Sequence, residues 1–144
     1  MTVEHLLQRK GDNVLTVSPG ATVSEAAAVL ERHRVGALVV SRHGTDICGI
    51  LSERDLVTGI ARHGSEVLTW PVEKIMTAEV RTCGCRDSID SLMRIMTDSR
   101  IRHLPVVDGD RMVGVVSIGD IVKKRLDDLE LETRALHDYI QTGR

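Results

Sequence analysis

Gly49-Ile-Leu-Ser52-Glu-Arg-Asp55 and Gly114-Val-Val-Ser117-Ile-Gly-Asp120 are two copies of one pattern. Each is a short apolar run of strand length that closes on a serine, with an aspartate three residues on, where a helix opens. Ser-x-x-Asp at a helix start is a capping box: the hydroxyl takes an N–H of the first turn, and the carboxylate reaches back to the serine N–H. The same residues suit a second purpose. A helix N-terminus offers donors to an anion, and a carboxylate can accept hydrogen bonds from ribose hydroxyls. One copy does not choose between these readings. Aspartate is a less usual reciprocal cap than Glu or Gln, and its duplication suggests two equivalent sites.

Working outward, the duplication extends through the chain. Val14-Leu-Thr16 lies 66 residues before Val80-Arg-Thr82, and at that offset Arg34 meets Arg100, Leu38 meets Leu104 and Val40 meets Val106. From Gly49 onward the offset is 65, so one residue is missing from the second copy between Val106 and Gly114. Each copy reads alike. A β-rich stretch (Val14 to Val17; Val80 to Thr82) precedes a helix (Ser24 to His33; Ser88 to Asp98). Thr22-Val-Ser-Glu25 caps the first helix, and Val23, Ala26, Ala27 and Leu30 form its apolar stripe. An apolar strand follows (Gly36 to Val40; Leu104 to Val107), then a turn (His43 to Asp46; Asp108-Gly109-Asp110). A second strand (Ile47 to Leu51; Met112 to Val116) and a helix complete the unit. Strands alternating with helices, twice, predict an α/β (mixed α+β) architecture. The expected division is a first repeat over 1–63, a connector over 64–75 containing Trp70-Pro71, a second repeat over 76–125 and a helical extension over 126–144. The last helix, Asp120 to Thr142, carries a partial apolar stripe of Ile121, Leu126, Leu129, Leu136 and Ile140. It is expected to pack on its own domain, with a dimer contact as the alternative.

Composition narrows the function. The 144 residues are 42% hydrophobic and 28% charged, which fits a globular chain and argues against disorder. With one Trp, one Tyr and no Phe, the core must be aliphatic, and the stacking platforms of single-strand nucleic-acid binders are missing. A net charge of −2 gives no general attraction to nucleic acid or anionic membrane. No stretch is apolar enough for a membrane helix, and the N-terminus has no signal-peptide core, so the expected location is cytoplasmic. Cys48, Cys83 and Cys85 read as reduced thiols, and the six scattered histidines give no metal-ligand spacing. Neither G-x-S-x-G, a P-loop nor H-E-x-x-H occurs, so no enzyme is expected.

The order and duplication of G-h-h-S-x-x-D, with Arg34-Val-Gly-Ala-Leu38 and Arg100-Ile-Arg-His-Leu-Pro-Val106, resemble the cystathionine-β-synthase (CBS) domain pair, or Bateman module, over about residues 10–125. The resemblance implies two β-α-β-β-α repeats packed by pseudo-twofold symmetry. Two clefts between them would hold adenosine derivatives such as AMP, ADP, ATP, NAD or S-adenosylmethionine. It places ribose-binding carboxylates at Asp55 and Asp120 and the accompanying hydroxyls at Ser52 and Ser117, with Ile118 in the second motif. The wall facing Asp120 would come from Val35, Gly36 and the segment Lys10 to Leu15. The wall facing Asp55 would come from Met76, Thr77, Arg102 and His103. Aliphatic groups (Val35, Val80 or Met76) would clamp the adenine. Arg102, His103 and Arg54 are phosphate candidates serving the Asp55 cleft alone, so that cleft is expected to favour more phosphate. The resemblance further implies a homodimer and a regulatory output through a separate effector protein. The alternatives within this fold are nucleic-acid binding through Arg94, Arg100, Arg102 and Arg111, and redox sensing through Cys83 and Cys85.

Overall fold

The computed structural model describes residues 2–10 and 14–142, without the side chains of residues 9 and 10. The elements run α1 (Val3–Lys10), β1 (Thr16–Val17), α2 (Val23–His33), β2 (Ala37–Val40), β3 (Gly49–Ser52), α3 (Glu53–His63), β4 (Cys83–Gly84), α4 (Ile89–Ser99), β5 (His103–Asp108), β6 (Arg111–Ser117) and α5 (Ile118–Thr142). Two three-stranded sheets result, β1-β2-β3 and β4-β5-β6, each with one parallel and one antiparallel pairing.

The sequence repeat is a repeat of register. Val17 pairs with Val40 and Cys83 with Val106, both related by 66 residues. Ala37 pairs with Ser52 and His103 with Ser117; the first strand shifts by 66 and the second by 65. The second ladder runs on to Asp108 and Arg111, with a register shift between Val106 and Val107 that passes over Val113. Strand β4 begins at Cys83, beyond the expected Val80 to Thr82, because pairing starts only where the chain lies beside β5. In the longer first turn, Asp46 accepts hydrogen bonds from Ser41 Oγ (2.6 Å) and the His43 N–H (2.8 Å), which hold its carboxyl well below the usual range.

The two cores are not assembled in chain order. Val3, Leu6 and Leu7 of α1 are buried with Leu92, Leu104 and Ile121 of the second repeat. Val72, at the end of the connector, is buried with Val23, Leu38 and Leu51 of the first. The segment leading into each repeat therefore completes the core of the other. Backbone bridges match: Thr2 pairs with Ser88, and Pro71 with Thr22. The connector is thus structural, with two 3₁₀ turns (Gly64–Thr69 and Val72–Lys74), buried Val67, and Trp70 packed on His63 at 4.7 Å between ring centroids.

Helices α2 and α4 end alike. Arg34 and Arg100, 66 residues apart, adopt left-handed conformations (φ 54° and 53°). The next residues, Val35 and Ile101, donate back to Leu30 O and Met96 O, closing Schellman-type turns. Arginine is strained there, where glycine is the usual occupant. Arg34→Gly is therefore expected to stabilise the fold by about 0.5–1 kcal/mol in urea unfolding.

Helix α5 departs from the expected packing. Ile121 is buried, but Leu126, Leu129, Leu136 and Ile140 are exposed, because the helix runs on past the sheet and α4 with nothing to lie against.

Candidate functional site

Each Ser-x-x-Asp forms the full capping box. Ser52 N donates to Asp55 Oδ2 (2.9 Å) and Asp55 N to Ser52 Oγ (3.2 Å). Ser117 N donates to Asp120 Oδ2 (2.9 Å) and Asp120 N to Ser117 Oγ (3.1 Å). Capping accounts for one carboxylate oxygen in each. An ionised carboxylate has about four acceptor positions, so a cap does not exhaust it. Thr77 Oγ1 reaches Asp55 Oδ1 at 3.4 Å.

Each box also sits on the wall of a cleft. One cavity, of about 360 Å³, joins Ser117 and Asp120 to Val14, Leu15, Arg34, Val35, Gly36 and His103. The other, of about 400 Å³, joins Ser52, Arg54 and Asp55 to Thr77, Val80, Arg100, Arg102 and His103. Both volumes lie in the ordinary range of small-ligand sites. In each cleft the Ser-Asp pair of one repeat faces the helix-to-strand turn of the other, which the left-handed arginine directs into the opening.

Several expected wall residues stand elsewhere. Met76 packs with the first core, its Sδ over Gly49, and does not line the Asp55 cleft. Ile118 packs against the second core. The Lys10 side chain and residues 11–13 lie outside the described residues. Val80 lines the Asp55 cleft as an apolar wall. His103 was expected to serve the Asp55 cleft alone; it lines both, together with Gly36, Ala37 and Ile50. The cause is Gly36. A Cβ there would stand 3.3 Å from His103 Cε1, so the bare glycine lets the imidazole lie between the two openings.

The clefts differ in charge. Arg54, Arg81, Arg100 and Arg102 line the Asp55 cleft beside Glu53 and Glu79, whereas Arg34 is the arginine of the Asp120 cleft. Arg81, Arg34 and Glu79 were not among the expected binding residues. Arg81 falls within Val80 to Thr82, the stretch expected as strand, and Arg34 enters the sequence reading only as a repeat position and the first residue of Arg34-Val-Gly-Ala-Leu38. Of the arginines considered for nucleic acid, Arg100 and Arg102 line this cleft, while Arg94 lies on α4 and Arg111 opens β6.

Burial pushes the Cys83 thiol up to about 12, with Asp87 and Cys85 adding to the effect, and burial likewise raises Cys85. Thiols so shifted hold little of the nucleophilic thiolate at neutral pH. Among the described residues, no three His, Cys, Asp or Glu side chains gather as metal ligands, and no helix is long and apolar enough to cross a membrane.

Two interlocked α+β repeats enclosing a pair of pseudo-equivalent clefts define a tandem-repeat module. A family model for the CBS domain matches residues 3–62 and 72–127, and the chain belongs to that family. It is similar to the CBS-domain containing protein ATU1752 from Agrobacterium tumefaciens, with 43% identity and a TM-score of 0.84 over 87% of this chain and 99% of that one. CBS domain protein PAE2072 from Pyrobaculum aerophilum, complexed with AMP, is 28% identical with a TM-score of 0.78, over 92% of this chain and 99% of that one. The CBS domain pair of protein MJ0100, in complex with 5-methylthioadenosine and S-adenosyl-L-methionine, is 25% identical with a TM-score of 0.78, over 89% of this chain and 98% of that one.

Proposed function

We propose that this chain is a cytoplasmic sensor of adenosine-containing ligands. It binds them in the two clefts and passes the signal through a change in packing or assembly to a separate effector. The observation that carries this reading is the placement of both Ser-x-x-Asp boxes on cleft walls, each opposite the other repeat's turn. A ligand held there touches both repeats at once, so its binding energy biases their relative packing. The complexes of PAE2072 and MJ0100 share an adenosine moiety, which supports the same class of ligand here.

Asp55 and Asp120 accept from the ribose hydroxyls, while Ser52 and Ser117 hold the helix N-termini. Val80 in one cleft and Val35 and Leu15 in the other flank the base. The arginines of the Asp55 cleft favour a phosphate-bearing ligand such as AMP, ATP or NAD. The less cationic Asp120 cleft accommodates adenosine with little or no negative charge, the class of S-adenosylmethionine. The chain acts by binding and performs no chemistry on its ligand.

Mass spectrometry of small molecules released by denaturing freshly purified protein, followed by calorimetry with the adenosine series, tests this reading. Two binding events per chain are expected for AMP, the tighter falling in strength as salt rises. An adenosine series that gives no heat, with no adenosine compound released, overturns the proposal.

A further inference from the structure

We propose that the exposed face of α5 is a parallel coiled-coil seam that pairs with α5 of a second copy of this chain. Val122, Leu126, Leu129, Thr133, Leu136 and Ile140 recur at alternating intervals of four and three. That is a seven-residue repeat with Leu126, Thr133 and Ile140 at a and Val122, Leu129 and Leu136 at d. The face is uncovered: Leu126 is 56% exposed, Leu129 57%, Leu136 61% and Ile140 57%. Residues 129–142 are all exposed, so about 20 Å of helix stands clear of the domain. This stretch continues a helix already nucleated on the domain, but it draws no packing energy along its own apolar face, and a partner there would supply it.

A period of 3.5 rather than 3.6 selects another helix as that partner, since it keeps one seam in contact along the whole length. Charge selects a second α5 laid parallel and in register. Position g of one helix then meets position e of the next heptad on the other. Arg125 meets Glu130 of the second copy, a pair of opposite sign, and Glu132 meets His137 of the second copy, a carboxylate facing an imidazole N–H donor. Antiparallel pairing centred on the exposed segment sets Glu130 near Gln141 and Glu132 near Tyr139 of the second copy and forfeits the Arg125–Glu130 pairing. Pairing centred near residue 131 sets Glu130 and Glu132 against the same two carboxylates of the second copy. Within one chain Arg125 bonds Asp90 of α4; a guanidinium has five donor hydrogens and serves both carboxylates. Thr133 is the one polar residue of the seam, and its hydroxyl is satisfied within its own helix by Leu129 O (2.9 Å). The inference is independent of nucleotide binding.

The test is sedimentation of the full chain in the micromolar range, with and without substitutions along the seam. The parent is expected to sediment as a dimer. Leu129→Glu/Leu136→Glu places four carboxylates in the dimer seam and is expected to raise the dissociation constant by about 100-fold or more. Leu131→Glu, on the same helix but off the seam, leaves the dimer intact. Leu129→Cys and Leu136→Cys, made separately, are each expected to oxidise to a cross-linked dimer above the parent's background. An antiparallel pair brings at most one of those positions to its own equivalent. A monomeric parent, a dimer indifferent to the double glutamate, or a cross-link at fewer than both positions overturns the proposal, whether the face then proves to bind another protein, a membrane or nothing.

Discussion

Asp55→Asn and Asp120→Asn will each leave the fold in place and remove one of two adenosine-binding events. The cap uses one oxygen of each aspartate, and the proposed ribose contact is assigned to the other. Oδ2 accepts from the serine N–H and closes the cap, and an asparagine carbonyl accepts that bond as well. Replacing the other oxygen by an amide puts donors where a ribose hydroxyl must donate. Each lost hydrogen bond to a charged acceptor is worth about 1.5–3 kcal/mol. The affinity of the affected cleft should therefore fall by about 10- to 100-fold at the least. The alanine variants lose the cap too, and their melting should show a further cost of about 1 kcal/mol that the asparagine variants escape. Ser52→Ala and Ser117→Ala complete the comparison, with the cap weakened and the carboxylate kept. Calorimetry with AMP and thermal unfolding on the same samples separate the two roles. Asparagine variants that bind as the parent does, with alanine variants that fail only through instability, would reduce both motifs to caps and sink the ribose assignment.

The legible part of this structure is the part that local chemistry dictates twice. Register, turn positions and the paired capping boxes followed from offsets of 66 and 65, because a strand pairing and its side-chain alternation repeat together. The interlocking of the repeats was not legible at those offsets. Val3 and Val72 occupy equivalent places in opposite cores, at an offset of 69, and one lies in an α-helix while the other opens a 3₁₀ turn. The shared Val-Glu of Val3-Glu4 and Val72-Glu73 was the available signal, too short to stand out. The turns at Arg34 and Arg100 were hidden for another reason: the left-handed position normally announces itself by glycine or asparagine. His103 was assigned to one cleft because a sequence cannot show that Gly36, by lacking a side chain, leaves the imidazole between two openings. The seven-residue spacing of α5 was blurred by Ile121, which belongs to the buried face while its neighbours belong to the exposed one.

The glycine that begins each motif carries the final expectation, and the repeats should answer differently. A Cβ on Gly49 would stand 2.8 Å from the carbonyl oxygen of Thr77 and 2.7 Å from Met76 Sδ. A Cβ on Gly114 would stand 2.5 Å from Leu7 Cδ2, and its three nearest neighbours are all side-chain atoms of Leu7. Glycine is needed at both because the crossing segment of the other repeat runs directly over the strand. The obstacle is a movable side chain at Gly114. At Gly49 it includes backbone, tied to β3 by the paired hydrogen bonds between Ile50 and Thr77 (2.9 and 2.8 Å). Gly49→Ala should therefore cost near the upper end of the 1–3 kcal/mol typical of overpacking, and Gly114→Ala near the lower end. The displaced Thr77 lines the Asp55 cleft and touches Asp55 itself, so Gly49→Ala should also weaken ligand binding there while sparing the Asp120 cleft. Second substitutions sharpen the contrast. Leu7→Ala makes room beside Gly114→Ala, and the double variant should be more stable than the sum of the single losses. Met76→Ala should give Gly49→Ala no comparable relief, since the Thr77 carbonyl remains in the way. Urea unfolding of the four singles and two doubles decides the matter. Equal rescue in both repeats would mean that the backbone over Gly49 yields as easily as the side chain over Gly114, and the rigid crossing assigned to the Asp55 cleft would have to be given up.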